Sequence, residues 1–84
     1  MVLSKGGITM SILDEIGDAI VYLRKRENFT QEELALECGI SVSYLRRIEH
    51  GVANPTINEL STIAKVLNVE LRNPFLDAVV AGVL

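Results

Sequence analysis

Apolar residues recur at three- and four-residue steps along most of the chain, a spacing that predicts amphipathic α-helices. The first such stripe predicts a helix from Ser11 to about Arg26 and consists of four aliphatic residues: Leu13, Ile16, Ile20 and Leu23. Gly17 lies inside this helix, where glycine is less favourable than alanine by ~1 kcal/mol. We therefore interpret Gly17 as a point of close packing against another helix, and the whole pattern predicts an all-α fold.

Two short helices joined by a glycine turn are predicted between residues 30 and 51. Thr30 and Glu33 have the spacing of a capping box, so the first of them is expected to begin directly after Thr30. Gly39 suits the left-handed conformation that often follows a helix, and Ser41 is a suitable cap for the second. The residues expected to face inward are Leu34, Ala35, Leu45 and Ile48. This arrangement is a helix-turn-helix.

Another capping box, formed by Thr56 and Glu59, predicts a fourth helix that Asn68 ends in a left-handed conformation. Pro74 disfavours helical geometry at the preceding residue and suits the first position of a helix. A short fifth helix is therefore expected from Pro74 to about Ala81. This region holds more apolar residues than one helix face accommodates: Phe75, Leu76, Val79, Val80, Val83 and Leu84.

The length of 84 residues suffices for one small domain, and 49% hydrophobic residues without tryptophan predict an aliphatic core. The single cysteine, Cys38, excludes an internal disulfide and fits a reducing cytoplasm. No signal peptide and no bilayer-spanning apolar run are visible, so we expect a soluble cytoplasmic protein that contacts no membrane. Residues 1–10 are expected to form a flexible N-terminal arm, with a contact to DNA or a partner as the alternative, and residues 11–84 the folded domain.

Charge is distributed unevenly along the chain. The formal net charge of −3 argues against loose binding of nucleic acid by the whole surface. Five of the eight Lys and Arg residues nevertheless lie in two clusters within or beside the helix-turn-helix, at residues 24–26 and 46–47. Nothing in the sequence is typical of an enzyme, because catalytic constellations, a glycine-rich phosphate loop and metal-ligand spacings are missing. We predict a protein without catalytic activity, cofactor or metal.

The helix-turn-helix and the loop after it resemble the Cro/repressor-type (XRE) family of DNA-binding regulators. The matching residues are Thr30, Gln31, Glu33, Leu34, Ala35, Gly39, Ile40, Ser41, Ser43, Tyr44, Leu45, Ile48, Glu49, Gly51, Asn54, Pro55 and Thr56. The resemblance extends over about residues 11–69 and implies a five-helix repressor-like DNA-binding domain. Small controller proteins of restriction–modification systems and small phage repressors are the members that this chain resembles most in size.

Roles at the DNA follow from this resemblance. The second helix of the motif would lie in the major groove, with four base-contacting candidates: Val42, Ser43, Arg46 and Arg47. Arg47 is the first candidate, since arginine binds guanine through two hydrogen bonds. The candidates for phosphate contacts are Gln31, Tyr44, His50 and Asn54. Each candidate also has a structural alternative. The two arginines could form a solvated face, and Tyr44 could belong to the core. Gln31 could be a simple surface residue, His50 could be solvated, and Asn54 could form a turn.

The resemblance also implies an ion pair between Arg24 and Glu49, matching positions in related repressors. A homodimer on a near-palindromic DNA operator is expected, because one recognition helix contacts only a few base pairs. Its interface is predicted in the segment of about residues 70–84, through Leu76, Val79, Val80 and Val83, while Leu71 and Phe75 cover the domain core. The alternative function is an antitoxin that binds a toxin partner as well as DNA. A third possibility, an interaction domain without sequence recognition, does not account for the basic cluster at residues 46–47.

Overall fold

The structure, a computed structural model, describes residues 4–5, 8–9, 11–69 and 82 of the chain. Four α-helices make up its folded part: α1 (Ile12–Arg26), α2 (Gln31–Cys38), α3 (Val42–Glu49) and α4 (Ile57–Val66). The predicted all-α, helix-turn-helix fold is confirmed. The predicted fifth helix, from Pro74 to about Ala81, lies outside the described residues. No helix within the described residues is long and apolar enough to cross a membrane.

A small antiparallel pairing precedes the helices and was not predicted. Strand β1 (Ser4–Lys5) pairs with β2 (Ile8–Thr9), with Ser4 opposite Thr9 and Lys5 opposite Ile8. Two residues per strand are too few to show the alternation of polar and apolar positions by which strands are recognised. This pairing lies within the segment of residues 1–10 that the sequence predicts as an N-terminal arm.

The helix ends follow the local signals in the sequence. Each helix begins after a residue whose side-chain oxygen accepts a backbone hydrogen bond from three residues further on: Ser11, Thr30, Ser41 and Thr56. Gly39 after α2 and Asn68 after α4 both have the predicted left-handed conformation, with φ of 71° and 61°. Such caps satisfy backbone groups that would otherwise have no partner in the helix.

The core is built from aliphatic residues that all four helices and the α3–α4 loop contribute. The buried residues that pack together are Ile20, Leu34, Ala35, Leu45, Ile48, Ala53, Ile63 and Leu67. Ile20 belongs to the predicted stripe of the first helix, and Leu34, Ala35, Leu45 and Ile48 are the residues expected to face inward in the helix-turn-helix, whereas Ala53 lies in the loop. Burying each of the larger aliphatic side chains contributes about 1.5–3 kcal/mol. Cys38, at the end of α2, is half-buried against this core, and burial raises the pKa of its thiol.

Gly17 explains how closely α1 approaches α3. A Cβ atom at Gly17 would lie 2.5 Å from the carbonyl oxygen of Glu49 and 2.7 Å from that of Ile48. Real Cβ atoms essentially never lie this close to another heavy atom. The atoms in the way belong to the backbone of α3, so they cannot move aside as a flexible side chain would. The prediction that Gly17 marks close helix packing is therefore confirmed, and the contact positions the C-terminal end of α3.

Candidate nucleic-acid interface

The helix α3 has one face in the core and one in solvent. Leu45 and Ile48 are buried to 0% and 1% exposure and fix the helix against the rest of the domain. Ser43, Arg46 and Arg47 are exposed on the other side. This division follows from the helical period, since residues three and four positions apart share a face. The exposed side of α3 thus presents a hydroxyl and two guanidinium groups on a rigidly held helix.

Val42 differs from the other three base-contacting candidates. It is half-buried, and its side chain packs against the hydrophobic core. As the first residue of α3, directly after the cap Ser41, it lies at the margin between the two faces. Only part of this side chain is therefore available for an apolar contact with a base.

The two arginines of α3 differ in their surroundings. Arg46 donates from Nε to Gln31 Oε1 at 3.2 Å and from Nη2 to Glu32 Oε2 at 3.0 Å, so it is tied to the start of α2. The side chain of Arg47 makes no hydrogen bond or ion pair with any residue that the structure describes, and only its backbone carbonyl accepts, from the N–H of Val52 at 3.0 Å. Arg47 can thus bind an external partner without the loss of a side-chain contact within the protein. This availability suits the first candidate for a base contact.

The ion pair expected between Arg24 and Glu49 is present in the structure. Arg24 donates from Nε to Glu49 Oε2 at 2.7 Å and from Nη2 to Oε1 at 3.2 Å, and its Nη1 donates to the carbonyl oxygen of Phe29 at 3.0 Å. The two side chains are only 11% and 3% exposed. Gln31 Nε2 adds a further hydrogen bond to Glu49 Oε1 at 2.8 Å. These contacts join α1, the start of α2 and the end of α3.

Gln31, a candidate for phosphate contact, is therefore also a bridge within the protein. Its amide oxygen accepts from Arg46 and its amide nitrogen donates to Glu49. Its backbone lies in the first turn of α2, where N–H groups and the helix dipole favour an anion. The side chain is half-buried and not the freely extended surface glutamine of the alternative interpretation.

Tyr44 connects α3 to α4 through its hydroxyl, which donates to Glu59 Oε1 at 2.7 Å. This hydrogen bond, with burial, raises the pKa of Tyr44. Glu59 also accepts from the backbone N–H of Thr56 at 2.8 Å, and that bond, followed by the one from Tyr44, lowers the pKa of Glu59. A phosphate contact by Tyr44 would have to use or replace a hydroxyl that already has an internal partner.

The two remaining phosphate candidates lie beyond the end of α3. His50 is exposed and caps the helix, with its Nδ1 2.7 Å from the carbonyl oxygen of Arg46, so a proton on Nδ1 completes that bond. Nε2 has no hydrogen-bond partner among the described residues. Asn54 is exposed between the buried residues Ala53 and Pro55, which anchor the loop on both sides. Both residues follow the C-terminal end of α3 in the chain. The predicted interface residues Leu76, Val79, Val80 and Val83 lie outside the described residues.

Two acidic residues take part in this surface without having been predicted as site residues. Glu32 pairs with Arg46, and Glu59 accepts from Tyr44. Their helix positions were clear from the capping boxes, but each contact joins residues 14 or 15 positions apart on different helices. These two contacts can be recognised only when the relative positions of the helices are known. No group of three or more potential metal ligands occurs in the part of the chain that the structure describes.

Comparison with known proteins identifies the family. A family model described as helix-turn-helix matches residues 20–72, more than half of the chain. The chain belongs to the helix-turn-helix family. The predicted resemblance to Cro/repressor-type (XRE) regulators is thereby confirmed, and members of this family are DNA-binding regulators and not enzymes.

Similar proteins include transcription regulators and a restriction–modification controller protein. The helix-turn-helix chain is 43% identical over 61 residues to the transcriptional regulator SlrR of Bacillus subtilis, covering 71% of this chain but only 40% of SlrR. The controller protein C.AhdI of Aeromonas hydrophila, from a restriction–modification system, has a similar structure, with a TM-score of 0.67, 29% identity and coverage of 69% and 88% of the two chains. The biofilm regulator SinR, solved in complex with DNA, gives a TM-score of 0.63 with 38% identity and coverage of 66% and 89%.

Proposed function

We propose that this helix-turn-helix protein is a transcription regulator that recognises a DNA operator through α3. The observation that carries the proposal is the division of α3 between a buried face with Leu45 and Ile48 and an exposed face with two arginines. A helix held in this way suits the major groove, which is about 12 Å wide and admits an α-helix. The similarity to SinR, whose structure was solved with DNA, supports the same use of the surface.

Base recognition is assigned to Ser43, Arg46 and Arg47, with an apolar contact from the exposed part of Val42. Arginine binds O6 and N7 of guanine through two parallel hydrogen bonds, and serine donates to or accepts from several base edges. Because the domain is acidic overall, sequence-independent attraction to phosphate is weak, and these specific contacts supply a large share of the binding.

Phosphate contacts are assigned to the start of α2 and to the residues that follow α3. Gln31 and the first backbone N–H groups of α2 suit one phosphate, since helix N-termini attract anions. His50 suits the DNA backbone beyond the end of α3 when it carries a proton on Nε2 as well as on Nδ1, because Nε2 can then donate to a phosphate oxygen. Asn54 suits the same backbone through its amide N–H groups. Tyr44 would join them through its hydroxyl while it remains close to Glu59. Such contacts fix the orientation of the protein on the duplex.

A homodimer on a near-palindromic operator completes the proposal. Two recognition helices about 34–36 Å apart would contact successive turns of the major groove. We assign the interface to the apolar segment of residues 70–84, with Leu76, Val79, Val80 and Val83 towards the partner. The regulators and controller protein compared above favour an operator-binding regulator over the antitoxin interpretation, which none of those similarities supports.

Selection of bound fragments from random DNA tests this function directly. The purified protein should enrich one motif with two related halves, and footprinting should show both halves protected. Binding to the selected DNA and to a scrambled duplex of the same composition should then differ by at least about 10³-fold. Equal affinity for both duplexes would contradict a sequence-specific regulator.

A further inference from the structure

Arg46 is held along one edge of its guanidinium group by two residues of α2. Nε donates to Gln31 Oε1 at 3.2 Å and Nη2 donates to Glu32 Oε2 at 3.0 Å. Arginine has five N–H groups in a fixed fork, and these two bonds use two of them. The Nη1 group has no hydrogen-bond partner among the described residues, and one N–H of Nη2 also remains. The edge formed by Nη1 and Nη2 is therefore left for an external acceptor.

The orientation of Gln31 is determined by its neighbours. A guanidinium only donates and a carboxylate only accepts, so the amide oxygen must face Arg46 and the amide nitrogen must face Glu49. Glu49 is in turn held by Arg24 through two hydrogen bonds and is 3% exposed. An uninterrupted series of hydrogen bonds thus leads from the buried pair on α1 and α3 to the exposed head of Arg46.

Glu32 completes the series from the other side. Its side chain is 66% exposed and that of Arg46 48%, so the pair contributes little to stability on its own. The effect of the Glu32–Arg46 pair is geometric. An unrestrained arginine samples many rotamers and loses that freedom on binding, whereas a paired arginine is already held in one orientation. Glu32 lies in the first turn of α2, next to the phosphate site assigned above, where a carboxylate also disfavours a sequence-independent approach of DNA.

We propose that Glu32 is a specificity-determining positioning residue, which with Gln31 holds Arg46 so that its Nη1–Nη2 edge faces a guanine. This proposal rests on the function proposed above. It predicts that Glu32 acts on base discrimination through Arg46, and not through the general charge of the surface.

A double-mutant cycle separates these two effects. Glu32→Ala, Arg46→Ala and the double variant are measured on the selected DNA and on the scrambled duplex at one salt concentration. Glu37→Ala is the matched control, since Glu37 is an exposed acid on the same helix and its side chain makes no hydrogen bond or ion pair with the described residues. Circular dichroism verifies that each variant keeps its helical content, and Glu32→Gln, which retains an oxygen acceptor, tests recovery.

The decisive quantity is the ratio of the affinity for the selected DNA to the affinity for the scrambled duplex. Arg46→Ala should lower it about 5- to 150-fold, the range for one bidentate arginine–guanine contact. Glu32→Ala should lower it about two- to fivefold, the size of one exposed ion pair. Glu32→Gln should lower it less. In the Arg46→Ala background Glu32→Ala should have no effect on the ratio, and Glu37→Ala should leave it unchanged in either background.

Three outcomes would overturn the proposal. If Glu32→Ala and Glu37→Ala raise both affinities by one common factor, Glu32 acts only as a charge. If Glu32→Ala lowers the ratio equally with and without Arg46, it does not act through that side chain. If Arg46→Ala leaves the ratio unchanged while the wild type discriminates, Arg46 contacts no base, although the proposed function stands. A wild type without discrimination would instead overturn the proposed function, and the positioning role with it.

Discussion

Arg24 on α1 and Glu49 at the end of α3 form a two-bond ion pair that is almost excluded from solvent, with Nε–Oε2 and Nη2–Oε1 distances of 2.7 Å and 3.2 Å. The pair joins the last residue of α3 to α1, so it fixes the end of α3 relative to α1. Both charges are compensated, and no described buried polar side-chain atom lacks a hydrogen-bond partner. Loss of one member would leave the other charge buried without compensation.

The first prediction concerns this pair. Glu49→Ala or Arg24→Ala should lower the free energy of unfolding by about 3–5 kcal/mol, because the remaining charge stays buried. Urea denaturation measures the change. Glu27→Ala is the control, since Glu27 forms an exposed pair with Arg26 at 3.2 Å, and its loss should stay within about 1 kcal/mol. Losses of equal size for the control and the two buried variants would contradict a structural role for the pair.

The second prediction concerns the contact of Gly17 with α3. Alanine is the better helix former by ~1 kcal/mol, but its Cβ would collide with the carbonyl oxygens of Ile48 and Glu49. Gly17→Ala should therefore destabilise the protein by about 1–3 kcal/mol, as overpacking does elsewhere. Thermal unfolding of the variant gives the sign. A variant more stable than the wild type would show that α1 and α3 are not in such close contact.

The third prediction is a pH dependence from Glu59. Its pKa is lowered in the folded protein by hydrogen bonds from Thr56 and Tyr44. A carboxylate of this kind contributes stability that is present above its unfolded pKa and is lost as the pH falls through its folded pKa. Glu59→Gln removes the titration, so its stability should fall less than that of the wild type over this acidic window. Urea midpoints between about pH 7 and pH 3 measure the difference.

Glu37→Gln is the control for the pH experiment, because it removes one exposed negative charge and leaves the Tyr44–Glu59 contact intact. Its stability should follow the pH dependence of the wild type. Parallel curves for wild type, Glu59→Gln and Glu37→Gln would contradict a contribution of Glu59.

The fourth prediction concerns the homodimer. Because a two-fold interface is self-complementary, a charge at Leu76 or Val80 is introduced twice in each dimer. The double variant Leu76→Glu, Val80→Glu should be monomeric and lose operator binding while it retains its helical content. Analytical ultracentrifugation at micromolar concentration measures the mass. An unchanged dimer mass would place the interface elsewhere, and a monomeric wild type would reject the homodimer altogether.

The sequence predicted those parts of the fold that depend on local interactions. The caps at Thr30 and Thr56 and the left-handed turn at Gly39 involve residues a few positions apart, so their spacing was sufficient. The Arg24–Glu49 pair was expected from family resemblance and not from spacing. The pairs of Glu32 with Arg46 and of Tyr44 with Glu59 depend on how separate helices pack, and no local pattern indicates them.

The candidate site shows the same division. Helical periodicity and resemblance placed Ser43, Arg46 and Arg47 on the exposed side of α3, where the structure has them. The partial burial of Val42 depends on how the first turn of α3 meets the core. The antiparallel pairing of β1 with β2 depends on backbone hydrogen bonds, which hydrophobic patterns do not report.

The central claim, that the exposed face of α3 recognises DNA sequence, is tested most directly at Arg47. This side chain is exposed and makes no hydrogen bond or ion pair with the described residues, so Arg47→Ala should leave the fold intact. Affinity for the selected operator should fall by about 1–3 kcal/mol, and base preference should relax at one position of each half-site. Binding to scrambled DNA should change far less. Equal losses of Arg47→Ala on operator and scrambled DNA would contradict base recognition by this residue.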